Sequence, residues 1–246
     1  MSRGLAIQHV AIVVGLRDYK EADRIVRLLS PERGIITALA RSARSSSKRF
    51  GGCLDIGNRI EVSLRPPRSI GGWWGLDSAL LEDGRAHTRS DLDRLALVAY
   101  CTEICARLAR EEHPEPKLFG LLDMALSLLD AMTGPPGPCF RLGLEAKALT
   151  FAGLGPQLTR CTSCDAPLTP PLIFTSTGVS HRHCGPSGEA VTLAWLASVE
   201  TARRTPLRQS VDTPSPEGPE WALAEAIEIH LGSRLRSRSI LNTLSG

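Results

Sequence analysis

The sequence predicts a multidomain α+β protein, in which a small N-terminal β-barrel precedes an all-α domain that carries an inserted cysteine-rich module. Two changes of pattern predict this class. Short apolar runs alternate with turn residues up to residue 81, and from Ser90 onward the apolar residues recur with the period of a helix. Between Cys161 and Cys184 the helical pattern gives way to cysteines, histidines and turn residues.

The N-terminal part contains about five short strands, at residues 5–14, 24–29, 35–40, 56–64 and 73–81. Pro and Gly mark the turns between them, as in Pro31 to Gly34 and in the pairs Pro66-Pro67 and Gly71-Gly72. Strands at this spacing are typical of a small barrel or sandwich. A five-stranded Greek-key barrel of the oligonucleotide-binding (OB) type fits both the strand count and the basic charge, so we predict an OB fold over residues 1–81.

Residues 82–246 are predicted to form the helical domain. Its first helix starts near Ser90 and ends before Pro114. Further apolar stripes predict helices at residues 118–132, 140–151, 192–199 and 219–231. The inserted module occupies about residues 159–186, between the third and fourth of these helices.

Charge is distributed unevenly along the chain. Residues 1–81 contain thirteen Lys or Arg and seven Asp or Glu, or +6, which leaves −3 for the rest of a chain whose net charge is +3. A surface for an acidic partner is therefore expected in the N-terminal third. The seven cysteines are an odd number and fit no secreted disulfide framework, so we expect a cytoplasmic protein in a reducing compartment.

Two pairs of candidate metal ligands define the inserted module. Cys161 and Cys164 form a Cys-x-x-Cys pair, and His181 with Cys184 repeats the same spacing after sixteen residues. Three thiolates and one imidazole suit the tetrahedral site of a structural zinc ion, with no position left open for a substrate. His183 is the substitute for His181, ranked second because it adjoins Cys184. The alternative is a set of scattered core cysteines and a solvated histidine pair.

No catalytic motif stands out in the sequence. The Gly-x-x-x-x-Gly-Lys-Ser/Thr loop of nucleotide hydrolases is absent, and so is the His-x-Glu and Pro-Cys-x-x-Cys pair of zinc deaminases. Gly185-Pro186-Ser187-Gly188 lacks the spacing of a nucleophile elbow. We therefore predict a protein that is not an enzyme.

The basic segment of residues 41–52, RSARSSSKRFGG, is the strongest candidate for binding nucleic acid. Cations on a Ser-rich loop can follow a phosphate backbone, and Phe50 can offer a stacking face to an unpaired base. A solvated surface loop is the competing interpretation. The candidate contacts in and near this segment are Arg41, Arg44, Lys48, Arg49, Phe50, Arg17 and Arg24.

Trp73 and Trp74 are neighbours on a predicted strand, so their rings are expected on opposite faces. One should belong to the core and the other should be exposed, where it could stack on a base. The sequence leaves open which ring is which.

The order of several motifs resembles the bacterial RecO family of recombination mediators. The resemblance begins in residues 13–26 (VVGLRDYKEADRIV) and 28–34 (LLSPERG), and continues through 40–44 (ARSAR) and 47–52 (SKRFGG). Farther along, residues 140–142 (FRL) and 154–156 (LGP) precede Cys161-x-x-Cys164. The motifs cover nearly the whole chain; each is loose alone, but their common order is specific.

The resemblance implies an OB barrel, a helical domain and an inserted zinc module. RecO-like proteins bind single- and double-stranded DNA, anneal complementary strands and, together with RecR, help to load RecA onto strands covered by single-strand-binding protein. Carried onto this sequence, the DNA contacts are Arg41, Arg44, Lys48 and Arg49, and the zinc ligands are those named above. His181 stands where the family usually has a fourth cysteine.

The sequence thus predicts a non-catalytic DNA-binding mediator of recombinational repair, located in the cytoplasm with the nucleoid. The alternative is a zinc-stabilised protein–protein adaptor with no direct role on DNA, which the −3 balance outside the barrel allows.

Overall fold

The structure is a computed structural model that describes residues 6–134, 136–185, 187–210 and 217–244 of the chain. It contains two compact units, Met1–Asp130 and Ala131–Gly246. The elements of the first unit are β1 (Ile7–Tyr19), β2 (Asp23–Ser30), β3 (Gly34–Ala40), α1 (Ser47–Phe50), β4 (Arg59–Arg65), β5 (Trp74–Asp83), α2 (Leu92–Leu108) and α3 (Pro116–Ala131, apart from its last residue). Those of the second are α4 (Pro138–Phe151), β6 (Leu172–Thr175), β7 (Gly178–His181), β8 (Glu189–Val191), α5 (Leu193–Arg204), α6 (Ala222–Leu231) and α7 (Arg236–Leu244).

The five N-terminal strands close into a barrel in the order β1-β2-β3-β5-β4. Strand β1 pairs with β4 to complete the ring, and the β3–β5 pairing, Ala38 to Trp74 and Ala40 to Leu76, is parallel. The parallel pair arises because the chain crosses from β3 to β4 before β5 returns beside β3. This is the Greek-key OB barrel predicted from the sequence, and with the helical region and the cysteine cluster it confirms the predicted fold class.

Strand β1 is longer than its apolar pattern predicts. It pairs with β4 through Ile7 to Ile12 and with β2 through Ile12 to Tyr19, and its register shifts between Val13 and Gly15. A bulge of this kind bends a strand and increases its twist, which lets one strand serve two neighbours around the ring. The polar end of β1 was not recognised as strand because it faces solvent on the barrel surface and therefore carries no apolar alternation.

Phe50 belongs to the core of the barrel, which corrects the prediction that it offers a face to a base. Its exposed fraction is 3%, and it packs in the same apolar cluster as Val26, Ile36 and Val62. Helix α1, in the connection from β3 to β4, is only four residues long, and it brings Phe50 into the core. The neighbouring cations suggested a surface ring, but the helix turns Phe50 inward.

Within the first unit, helix α3 is attached to β4 and to the segment that follows β5 by buried and half-buried charges. Arg85 has a side chain only 6% exposed, and its guanidinium donates to Asp123 Oδ1 and Ser127 Oγ, each at 2.5 Å. Arg59 donates to the second oxygen of Asp123 at 2.6 Å. The pairing matters because an unpaired charge at this depth would cost several kcal/mol, roughly 3–5 by the usual measure of a broken buried pair.

The compact unit that contains the barrel thus also contains α2 and nearly all of α3. The functional division predicted at residue 81 stays a prediction.

The second unit packs helices around a small sheet of order β7-β6-β8. Phe174 of β6 meets Trp195 of α5 edge to face, with ring centroids 5.3 Å apart, and Trp195 is 1% exposed. Strands β6 and β7 form a hairpin that pairs Thr175 with Gly178 and Leu172 with His181. Helix α7 was missed from the sequence because its segment, RSRSILNTL, has few apolar residues. In the described part of the chain, no helix has the length and apolarity that crossing a membrane requires.

We expect Phe50→Ala to lower the free energy of unfolding by about 3–5 kcal/mol, because it opens a cavity in the closed barrel. Urea or thermal unfolding followed by circular dichroism measures the change. Leu80→Ala is the control, since Leu80 is 65% exposed on β5 and its truncation should change stability by less than about 0.5 kcal/mol. Equal stability of the two variants would contradict the buried position of Phe50.

Candidate functional site

One end of the barrel brings three connecting segments together; we call it the loop end. Strands β1, β3 and β4 end there, at Tyr19, Ala40 and Arg65, while β2 and β5 begin there. The register shows this: Arg24 pairs with Ala40, Arg65 pairs with Gly75, and Ala38 near the end of β3 pairs with Trp74 at the start of β5. The β1–β2 turn (residues 20–22), the start of the basic loop (residues 41–52) and the β4–β5 loop (residues 66–73) therefore meet at one surface. In OB folds the loops at this position contribute to oligonucleotide binding.

The start of the basic loop is held in place by hydrogen bonds. The Ser42 N–H donates to Asp23 Oδ1 at 2.8 Å, and the Arg44 N–H donates to Ala22 O at 3.1 Å. Ser46 N–H closes a turn on Ser42 O at 3.0 Å. The sequence indicated a flexible Ser-rich segment. The structure instead shows a loop whose backbone is attached to the β1–β2 turn.

The predicted DNA contacts fall into two groups in the structure. The exposed cations Arg41, Lys48 and Arg17 have no side-chain hydrogen bond or ion pair within the described residues. A cation without a protein partner can exchange its water for a phosphate oxygen at little cost. These three side chains are therefore available to an anionic ligand.

The other predicted contacts already bind within the protein. Arg24 donates to Asp18 at 3.0 Å, and Arg44 donates to Glu21 O at 3.1 Å. Arg49 donates to Arg41 O at 2.6 Å, and its guanidinium lies 4.9 Å from the centre of the Phe50 ring. Arg49 therefore orders the loop that carries Arg41, whatever else it does.

A groove of about 430 Å³ at the loop end includes residues that the sequence did not single out. Arg41 and Arg49 line one part of it, and Arg68 and Trp73 of the β4–β5 loop line another. Arg68 is exposed and, like Arg41, has no side-chain partner within the described residues. It was missed because it lies in a Pro- and Gly-rich turn, although the strand order of an OB barrel would have placed that turn beside the basic loop.

The structure also settles which tryptophan is exposed. Trp74 is 4% exposed and donates its indole N–H to Glu112 at 3.0 Å, whereas Trp73 is 43% exposed. The prediction that one ring belongs to the core and the other faces solvent is confirmed, and the exposed ring lies at the loop end.

The second candidate site is the cysteine–histidine cluster in the second unit. The ligand atoms of Cys161, Cys164, His181 and Cys184 all lie within 4.8 Å of one another. The β6–β7 hairpin carries His181 at its end, and the Cys161–Cys164 turn closes with Asp165 N–H donating to Cys161 O at 3.0 Å. The structure therefore brings together all four residues predicted from their spacing.

His181 rather than His183 takes part in the cluster. His181 is 4% exposed, and its Nδ1 lies 3.5 Å from Cys164 Sγ and 3.6 Å from Cys184 Sγ. Its Nε2 lies 3.1 Å from Pro167 O, where the Nε2–H tautomer donates to the carbonyl and leaves Nδ1 unprotonated toward the sulfurs. His183 is exposed and stacks on the outside of His181, with ring centroids 5.3 Å apart.

The cluster holds thiols of unequal acidity. Burial opposes ionisation of Cys161, but backbone N–H groups of His181, Cys164 and Ser163 are directed at its sulfur and lower the pKa to about 6. Burial and the neighbouring sulfurs of Cys164 and Cys161 raise the pKa of Cys184 to about 11. A bound cation would relieve this mutual repulsion and release the remaining protons.

The donor set fits a zinc ion. Zinc–sulfur bonds of about 2.3 Å and zinc–nitrogen bonds of about 2.0–2.1 Å in a tetrahedron separate sulfur and nitrogen by roughly 3.5 Å. The two measured separations from His181 Nδ1 are 3.5 and 3.6 Å. The cluster can hold a metal ion, and its four protein ligands suit a structural role.

Comparison with known proteins places the chain in a family. The family model described as Recombination protein O N terminal matches residues 1–72, and the model described as Recombination protein O C terminal matches residues 89–239. The DNA repair protein RecO of Anaeromyxobacter dehalogenans (strain 2CP-C) is 34% identical over 97% of this chain and 96% of its own length. The chain belongs to the RecO family. The DNA repair protein RecO of Myxococcus xanthus is 35% identical over 92% of this chain and 93% of its own length.

Membership of the RecO family confirms the resemblance read from the motif order and makes DNA repair the context of this chain. The two matched ranges leave residues 73–88 between them, the segment that contains β5 and precedes α2. Most of the loop end, through Gly72, thus lies in the range matched by the N-terminal model, and Trp73 follows directly after it. The cysteine cluster lies in the range matched by the C-terminal model.

We expect His181→Ala to lose most of the bound zinc, because it removes one of four ligands. His183→Ala, the matched control, should keep about one zinc per chain. His181→Cys should also keep the metal, since a fourth thiolate restores the ligand count. Zinc content after purification without added metal, measured by plasma mass spectrometry, distinguishes these variants. Loss of zinc from His183→Ala with retention in His181→Ala would reverse the assignment.

Proposed function

We propose that this RecO-family chain is a non-catalytic recombination mediator that binds single- and double-stranded DNA at the loop end of its barrel. The observation that carries the proposal is a group of exposed cations on the basic loop and the β4–β5 loop, Arg41, Lys48 and Arg68, whose side chains have no partner within the described residues. They lie on two loops that the closed barrel brings to one surface. Contacts to phosphates depend on the charge and length of the side chains and not on the identity of the bases, so this surface can bind DNA of any sequence.

Electrostatics favours the barrel over the rest of the chain as the DNA-binding part. Residues 1–81 have a formal charge of +6, and the remainder has −3. Binding that neutralises phosphates releases condensed counterions, so affinity should fall steeply as salt rises. Annealing then follows when one positive surface holds two complementary strands close together, and no nucleotide is consumed.

The remaining parts of the proposal rest on the family. By analogy with RecO-like proteins, the chain would act with RecR and with single-strand-binding protein, and would help to load RecA onto single strands in the cytoplasm, beside the nucleoid. We assign DNA binding to residues 1–81, the predicted OB domain. A zinc ion held by Cys161, Cys164, His181 and Cys184 would stabilise the inserted module of about residues 159–186 and take no part in DNA chemistry.

We expect Arg41→Gln, Lys48→Gln and Arg68→Gln each to weaken binding to a single-stranded oligonucleotide. Each lost phosphate contact should also reduce the slope of log affinity against log salt by about 0.7. Fluorescence anisotropy across a salt series measures both quantities. Arg208→Gln is the matched control, because Arg208 is exposed in the second unit, lies outside the loop end and loses the same charge.

Two results would count against the proposal. If wild-type protein shows no salt-dependent affinity for either DNA form, the adaptor alternative takes its place. If the three barrel variants bind like Arg208→Gln, the chain binds DNA elsewhere.

A further inference from the structure

Trp73 is unusual among the four tryptophans of the chain because its ring is both exposed and at the loop end. Trp74 and Trp195 are core residues at 4% and 1% exposure. Trp221 is half-buried and is covered by the guanidinium of Arg141, 3.5 Å from the ring centre. Trp73, at 43% exposure, presents an apolar surface to water.

The Trp73 ring contacts Tyr19, and 43% of the residue remains exposed. Tyr19, the last residue of β1, meets it edge to face, with centroids 5.4 Å apart and planes at 88°. In this geometry one ring presents its edge, so the contact covers at most one of the two indole faces. Lys20 Nζ lies 5.4 Å from the centre of the Tyr19 ring and adds a positive charge beside the pair. The pair is therefore a braced aromatic surface rather than a loose side chain.

Cations surround this aromatic surface. Trp73 lines the groove of about 430 Å³ together with Arg41, Arg49 and Arg68. Arg65 also lines it, but its charge is offset by a two-pronged pair with Asp77. Arg41 and Arg68 are thus the two groove cations whose side chains have no partner within the described residues.

An exposed aromatic face beside unpaired cations matches the chemistry of an unpaired nucleotide. The base of a single strand has free π faces that stack on an aromatic ring, while its phosphates meet the cations. A base inside a duplex is already stacked on both faces by its neighbours. The same ring could anchor an apolar protein partner, but the cations around it favour an anionic ligand.

We propose that Trp73, braced by Tyr19, is a base-stacking site through which the loop end binds single-stranded DNA in preference to duplex. The inference rests on the proposed DNA-binding function and adds to it a residue that discriminates single-stranded from duplex DNA. Arg41 and Arg68 hold the flanking phosphates of the same strand. Duplex binding uses the cations without the ring.

The test compares wild type and Trp73→Ala on three ligands: a single-stranded oligonucleotide, its duplex, and a strand of equal length whose central nucleotides are abasic. Trp73→Ala should weaken single-strand binding by about 5- to 150-fold, the range measured for losing one stacked base. Affinity for the duplex and the abasic strand should stay within about twofold of wild type. Ile229→Ala, an exposed apolar truncation in the second unit, should change none of the three.

Trp73→Phe provides a second readout that a change in folding would not mimic. Phenylalanine keeps an aromatic face, so single-strand affinity should remain within about threefold of wild type. Binding should quench the tryptophan fluorescence of wild type, and this quenching should be lost in Trp73→Phe because the other three tryptophans are buried or covered.

The possible failures are distinguishable. If Trp73→Ala binds the single strand as tightly as wild type, or loses equal affinity for single strand and duplex, the stacking site is overturned while the DNA-binding function stands. If wild type binds no DNA in a salt-dependent manner, the proposed function itself fails. A variant whose unfolding temperature matches wild type excludes misfolding as the cause of a loss.

Discussion

Closure of the barrel is the constraint on which the candidate site depends. The parallel β3–β5 pairing, from Ala38 to Trp74, and the β1–β4 pairing bring strands that are distant in sequence into one ring. Because the start of β5 pairs with the end of β3, the β4–β5 loop near residue 70 meets the segments near residues 20 and 41 at one surface. Arg41 and Arg68 are on different loops, and without closure those loops would be too far apart to bind one ligand. The core that maintains closure is apolar, so the functional surface depends on residues that never touch it.

The basic loop shows how a buried residue can serve a polar surface. Phe50 lies in the barrel core, and the Arg49 guanidinium lies over its ring while donating to Arg41 O. Phe50 thus anchors the loop in the hydrophobic core, and Arg49 fixes the backbone at Arg41. The side chains of Arg41 and Lys48 remain exposed. A loop ordered in this way loses less conformational entropy when it binds a ligand. The cysteine cluster has a comparable arrangement in the second unit, where its four ligand atoms, from a turn and the end of a hairpin, lie within 4.8 Å of one another.

Much of this organisation was predictable from local pattern. Turn residues and apolar runs predicted the five strands, and paired spacing predicted the cluster of Cys161, Cys164, His181 and Cys184, because nearby ligands on two turns converge without help from distant sequence. Prediction was weaker wherever the pattern carried no apolar signal. The polar end of β1 and helix α7 were missed for that reason, and Phe50 was assigned to the surface because its neighbours are charged.

The sequence by itself determined the order of the elements, the basic character of the N-terminal third, the three cysteines and two candidate histidines of the cluster, and the motif order of the RecO family. All of these are properties of local composition and spacing. Tertiary structure alone decided which tryptophan is exposed, which histidine faces the sulfurs, which arginines are already paired and that the β4–β5 loop joins the basic loop. Those facts depend on contacts between residues far apart in the chain. The burial of a side chain and its hydrogen-bond partners are properties of the folded structure, and the local sequence pattern does not specify them.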